Sequence, residues 1–475
     1  MSRPSPHRLS ELARRPSVML TVGIGLAGLS GSAFLALINA SFPKTTAGSN
    51  DVLALSGLNF LLATICAGMM AGSEQEMARA VSRAIAIGED PAAVQRRHYR
   101  HGAWLIIGTL LVVGALSPVL VVVSLGRHWV LLAELLVGLV GGLALYPIRG
   151  ALTGRRDYPV FSTTLVIEGL SRLVPAGIIL ALGVGSVGSF GLVFALGGPT
   201  VACFYGLYAP RWLHRRRREL PETVPVVELA EAAATAASAD DADVAGAGDR
   251  SGAGLWILTA ATLSNQLLFN AVPLLVAAKY GGTHDTTLAN ESAAVLSAVG
   301  LTRLGILMMV QLQAPLLPKL TAAAVHRRFA EVRQYTKKLS LLCAAVGLAG
   351  SLGCWVLGPW VLTTIMRAHA HLPGDYLAVL ALGTAFMMVG FILQAALVAM
   401  DRHVVVLIAW AVGAVVTVPV FLAGEGLFRT TALAGVIGPF VAMLVMAVEV
   451  WLRTRGGDQT PVDGDGVRAS APVLR

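Results

Sequence analysis

The chain has little charge for its size. Of its 475 residues only 13% are Asp, Glu, Lys or Arg, where a soluble domain carries about 25%. That shortage excludes an ordinary soluble enzyme and a disordered chain. Cysteine is also scarce, and Cys66, Cys203, Cys343 and Cys354 all lie in apolar runs. They make no CxxC and no Cys/His cluster, so neither a disulfide scaffold nor a zinc site is expected. No acidic pair, metal-ligand spacing or nucleophile triad stands out between the apolar runs, so no covalent chemistry, metal or cofactor is expected.

Apolar residues are plentiful instead, at 55%, with a mean hydropathy of +0.71. They fall into runs of about 20, the length a helix needs to cross the hydrocarbon core. The fold class that follows is an all-α polytopic membrane protein. Twelve transmembrane helices are predicted: 17–40, 50–72, 102–124, 128–151, 159–183, 186–209, 253–278, 291–316, 339–365, 374–400, 403–423 and 430–452. The first run is too long for a signal-peptide core and reads as an uncleaved anchor.

Basic residues orient the map. With both termini in the cytoplasm of a cell-membrane protein, 29 of the 36 Lys and Arg fall on the inner side and 5 on the outer. Arg172 and Arg303 remain, inside spans; Arg149 is counted with the inner loop 149–156. The net charge of +9 is thus a topology signal that also favours anionic membrane lipid, and nucleic acid is not an expected partner.

Polar composition divides the chain. A cytoplasmic tail (1–16) precedes a six-helix lobe (17–209). A flexible Ala/Asp-rich linker (210–252), which opens with Arg215–Arg218, comes next, then a second six-helix lobe (253–452) and a tail (453–475). Two halves of like orientation suggest parallel repeats around a central cavity. Segments 73–101 and 319–338 show apolar residues at helical spacing and read as short amphipathic helices on the inner interface.

Ionisable groups at membrane depth normally face a bundle interior or a wet cavity. Glu168 and Arg172 are four apart and can pair on one helix face; the pair is either self-neutralising or cavity-lining. Arg303 has no acid from residue 293 to 330, so it needs a partner from another helix or an anionic ligand. Gln311 lies two turns on and can share its face. Thr259, Thr262, Gln266 and Asn270 form one stripe, facing either water or a partner helix. Asn39, Asn59 and Glu134 read first as structural hydrogen-bonding groups, and Asn59 is kept as a candidate substrate contact. The glycine runs near 23–31 and 138–142 read as close-packing faces. A guanidinium matches a pyrophosphate through bidentate, charge-assisted bonds.

Four segments carry a family resemblance. RGALTGRRDYPVFSTTLVIEGLSRL (149–173), AGMMAGSEQEMARAVSRAIA (67–86), QLQAPLLPKLTAAA (311–324) and NQLLFNAVPLLVA (265–277) resemble span ends and loops of polysaccharide flippases of the MATE-like (MOP) transporter superfamily. The resemblance implies two six-helix, MATE-like lobes that alternate access. The implied cargo is an undecaprenyl-diphosphate-linked oligosaccharide for cell-surface polysaccharide. Polysaccharide polymerases and glycosyltransferases of the same pathway would be its partners. On this reading Arg303 and Arg172 attract the diphosphate, Glu168 tunes Arg172, and Gln266, Asn270, Gln311 and Asn59 offer hydrogen bonds. Lipid II flippases place Arg in the first two spans and multidrug extrusion members place Asp in the first; neither is present here. An ion-coupled small-molecule exporter of the multidrug and toxin extrusion type, a lipid II flippase, an enzyme of the same pathway and a non-transporting scaffold are the alternatives.

Overall fold

The computed structural model describes residues 16–155, 157–216, 250–306, 320, 323–324, 328–400 and 402–455. Among these residues the fold is helical throughout. The first half contains α1 (Pro16–Ser41), α2 (Thr46–Ala86), α3 (Pro91–Ala115), α4 (Ser117–Val123), α5 (Trp129–Gly154), α6 (Tyr158–Leu182), α7 (Val187–Ala195) and α8 (Gly197–Arg216). The second contains α9 (Arg250–Tyr280), α10 (Thr286–Thr302), α11 (Phe329–Trp360, ending in a π turn over Val361–Ile365), α12 (Gly374–Ala399), α13 (His403–Ala423) and α14 (Leu427–Arg455).

Among the described residues nine helices are long and apolar enough to cross a membrane. The pair α3–α4, bent by 63°, would make a tenth. The break falls where Pro118 removes a backbone donor at the start of α4. Local chemistry sets several other boundaries. Thr45 caps α2 by accepting from Gly48 N, Asp90 caps α3 with Pro91 in its first turn, and Asp285 accepts from Thr287 N and Leu288 N at the start of α10. Gly183 ends α6 in the left-handed conformation at φ 67°.

Segment 73–101 is not a separate interfacial helix. Residues 73–86 continue α2, and 91–101 open α3. The charges of Glu74, Glu76, Arg79 and Arg83 interrupt the hydropathy, but Met77 and Val81 are buried against Ala151 of α5, so packing carries the helix on. Gly150 and Gly154 make that contact possible. A Cβ at either would stand 2.4 Å from Glu74 O or 2.6 Å from Ala78 O. The same correction holds for part of 319–338: residues 329–338 are the start of α11, and Leu320, Ala323 and Val332 are buried in a core with α12 and α13. Of the predicted linker, 210–216 belongs to α8 and 250–252 to α9. Residues 217–249 and both tails beyond 16–455 lie outside the described residues.

Within the first half, α2 packs on α5, α1 on α6, and α5 on α8. Within the second, α11 packs on α12, and α14 on α12 and α13. The halves meet chiefly along α2 and α9, with α10 against α1 and α2. Gly68 lets α2 and α9 approach, since a Cβ there would stand 2.7 Å from Leu263 Cδ1. Trp129, Trp256, Trp360 and Trp451 are exposed near helix ends, as amphipathic rings at an interface would be, whereas exposed Trp104 lies in the middle of α3. Trp410 is buried and donates to Gln394 Oε1 at 2.8 Å.

Candidate functional site

Among the described residues two groups of buried or half-buried cations stand out, one in each half. In the first, Glu168 on α6 joins two arginines. Arg172, one turn further on, reaches Glu168 Oε1 at 2.7 Å, and Arg149 on α5 reaches Glu168 Oε2 at 2.6 Å. Arg149 also donates through Nε to Thr164 Oγ1 at 3.2 Å. The pair predicted from spacing is therefore part of a triad, and Arg149 is not a loop residue. It sits in the last turns of α5, buried, where the α2–α5 glycine contact closes over it. Two guanidinia and one carboxylate leave one positive charge, and Glu74 of α2 lies within electrostatic range of Arg149 and Glu168.

Arg172 is held by more than its carboxylate. Its guanidinium lies 4.5 Å from the centre of the Phe194 ring. Gly197 opens α8 beside it; a Cβ there would stand 2.5 Å from Arg172 Nε. That Nε is buried and has no hydrogen-bond partner among the described residues.

In the second half Arg303 follows the last residue of α10. Its Nη1 donates to Asn270 Oδ1 at 3.0 Å, and its Nη2 to the Phe269 carbonyl. The plane lies over Phe269, 3.9 Å from the ring centre, with Phe60 of α2 at 5.6 Å. Phe60 belongs to the first half, so Arg303 sits where the halves meet. The partner from another helix is thus present, but it is neutral. No carboxylate among the described residues pairs with Arg303.

The stripe on α9 is divided in use. Asn270 holds Arg303 and donates to Gln266 O at 3.2 Å. Gln266 itself is half-buried beside it. Thr262 donates to Gly68 O of α2 at 2.9 Å, so that part of the stripe faces a helix. Asn59 is half-buried on α2, next in sequence to Phe60. Gln311 lies outside the described residues. No hydrogen bond, ion pair or ring contact joins the triad to Arg303 among the described residues.

Glu134 departs from its expected structural hydrogen bond. It is 6% exposed on α5, and its Oε2 has no partner among the described residues. Its carboxyl lies against α7, where a Cβ at Gly191 would meet Oε2 at 1.9 Å. The charge-bearing residue the sequence reading missed is Arg149. The available signal was the GxxxG spacing of Gly150 and Gly154, which marks a close helix contact one residue away.

No protein-family model and no curated protein matches the sequence. Solved structures do resemble it in backbone. One is the inward-facing conformation of a multidrug resistance MATE family transporter of the MOP superfamily, at TM-score 0.64 and 16% identity, covering 92% of this chain and 99% of that one. Another is the Vibrio cholerae MATE transporter VcmN in the bent form, at TM-score 0.56 and 13% identity, covering 94% and 98%. A third is MATE in complex with MaD5, at TM-score 0.57 and 18% identity, covering 94% and 96%. The chain has the MATE-like fold.

Proposed function

We propose that the chain is a membrane flippase working by alternating access, and that its cargo is an undecaprenyl-diphosphate-linked oligosaccharide. The observation that carries this reading is Arg303, a cation whose partners among the described residues are all neutral, at the junction of the halves. A guanidinium without a carboxylate keeps its full attraction for a diphosphate, and its planar fork suits two phosphate oxygens. Asn270 orients it, and Phe60 and Phe269 flank it without neutralising it. The triad, with its one residual positive charge, supplies the second attraction through Arg172. Gln266 and Asn59 offer hydrogen bonds to sugar, and the lipid tail stays in the bilayer. The MATE-like fold supports the alternating-access part of the reading. The charge bias of the loops supports placing the ends of the chain in the cytoplasm of a cell-membrane protein.

Export of the cognate polysaccharide tests it. Arg303→Ala abolishes export while the amount of protein in the membrane stays normal; normal export from that variant refutes the diphosphate role. The second reading, an ion-coupled exporter of small molecules, has Glu134 in its favour, a buried carboxyl with no hydrogen bond to its Oε2 among the described residues. It predicts that Glu134→Gln abolishes efflux of a small cationic dye that the wild type expels.

A further inference from the structure

A groove on the first half lies apart from both cation groups. It runs over α5 between α3 and α8, both of which pack on α5. Its volume is about 280 Å³, and Gly102 and Ala103 of α3, Pro147 of α5, and Ala202 and Gly206 of α8 are among its walls. Glycine weakens a helix, and at Gly68, Gly150 and Gly154 the return is a close helix contact. Here there is no such contact. A Cβ at Gly206 would meet nothing within 4 Å, and one at Gly102 only Pro147 Cγ at 3.8 Å. These two glycines keep space open over α5, and Ala103 and Gly206 are exposed to it.

The groove is polar at one end and apolar at the other. Tyr99 of α3 and Tyr205 of α8 line the polar end. Arg155, in the turn after α5, lies within electrostatic range of both. It is half-buried, and its Nη2 donates to Gln95 Oε1 of α3 at 2.6 Å. That partner is neutral and leaves the charge of the guanidinium in place. Arg96, nearly one turn before Tyr99, is 73% exposed, with Asp90 at 3.8 Å. Asp157 is the acidic group in range of Tyr205. Deeper in, charge stops on all three walls: 102–115 of α3, 135–148 of α5 and 197–207 of α8 contain no Asp, Glu, Lys or Arg. Trp104, 69% exposed, stands where α3 changes from polar to apolar, the level a tryptophan takes in a bilayer. From Tyr99 to Ile106 the α3 wall rises by about 10 Å. On the charge-bias orientation the polar end is the cytoplasmic one.

We propose that this groove binds an anionic glycerophospholipid of the inner leaflet. Its phosphate lies at Arg155, with the Tyr99 and Tyr205 hydroxyls as further donors, and an acyl chain lies over Gly102, Pro147 and Gly206. Basic pockets between spans on the cytoplasmic side hold anionic head groups in this manner. A zwitterionic lipid brings its own cation to Arg155 and forfeits the net attraction. Neither Arg172 nor Arg303 lines the groove, so the site is separate from the residues assigned to cargo. It rests on the membrane reading and the charge-bias orientation, and on nothing about the cargo.

Native mass spectrometry of the full chain tests the site. The protein is released from detergent containing equal amounts of phosphatidylglycerol and phosphatidylcholine with the same acyl chains. Wild type should retain phosphatidylglycerol over phosphatidylcholine by about fivefold, the effect of one basic residue near an anionic lipid. Arg155→Gln should bring the two lipids to near-equal retention. Gly206→Leu fills the groove from a position whose Cβ meets nothing within 4 Å, and should lower retention of phosphatidylglycerol with Arg155 still in place. Arg79→Gln, which removes an exposed cation paired with Glu76 on α2, should change nothing. Equal retention of the two lipids by wild type overturns the site, as does a preference that Arg155→Gln leaves intact. Full retention in Gly206→Leu, or an equal loss in Arg79→Gln, reduces the effect to general surface charge and overturns the site as well. Each of these failures leaves the flippase reading standing, because that reading is decided at Arg303.

Discussion

The two buried cation groups use the same side chain in opposite ways. In the first half, Arg149 and Arg172 close around Glu168, with side-chain exposures of 10%, 20% and 16%. In the second, Arg303 is met by an amide, a carbonyl and two rings. A carboxylate between two guanidinia consumes most of their field in holding helices together. A guanidinium among neutral acceptors and rings keeps its field for a ligand. Burial alone does not mark a functional arginine in a membrane protein; the charge of its partners does.

The comparison breaks most visibly at Glu168. Glu168→Ala leaves two buried guanidinia without their carboxylate, and removing one partner of a buried ion pair costs about 3–5 kcal/mol. The expected outcome is a collapse in detergent-extracted folded protein, read by fluorescence-detected size exclusion. Replacing all three members by apolar residues, Arg149→Met with Glu168→Leu and Arg172→Met, should restore much of that yield, because an apolar replacement of a whole buried cluster is often neutral or stabilising by about 1–4 kcal/mol. Export from this triple variant then reports whether Arg172 touches cargo. Preserved export confines the triad to structure; lost export with good yield assigns Arg172 to the cargo.

Gly197→Ala is a smaller perturbation. The added Cβ meets Arg172 Nε at 2.5 Å, and displacing that side chain should cost about 1–3 kcal/mol, seen as a lower Tm together with reduced export. Asn270→Ala is comparable in stability, at about 1.5–3 kcal/mol for the charge-assisted bond from Arg303. It should also reduce export, because it frees Arg303 from its orienting partner.

Among the described residues, the nine helices long enough to cross a membrane were legible because each is a long apolar run. Segment 73–86 was misread because hydropathy stops at Glu74 while the buried stripe of Met77 and Val81 continues. Arg303 was legible as a charge without a local acid, and Asn270 as a member of a polar stripe. Their pairing was not, since it depends on the register of α9 against the end of α10. Arg149 was hidden by its place near a span end, where an arginine ordinarily snorkels to water; only the α5–α6 hairpin brings Glu168, 19 positions away, within reach. The contacts of His369, between the π turn and α12, with Ser49 Oγ and Asn39 O were invisible for a related reason. These partners lie 320 and 330 positions away, and each reads alone as an ordinary polar residue at a helix end.

Binding of a polyprenyl diphosphate to the purified protein tests the central claim about Arg303 most directly. With the protein in nanodiscs and undecaprenyl diphosphate as the titrant, the account predicts saturable binding by wild type. Arg303→Ala should weaken it by about tenfold or more, as expected for a charge-assisted contact of about 1.5–3 kcal/mol, in protein that stays folded and monodisperse. Equal affinities of wild type and Arg303→Ala would contradict it.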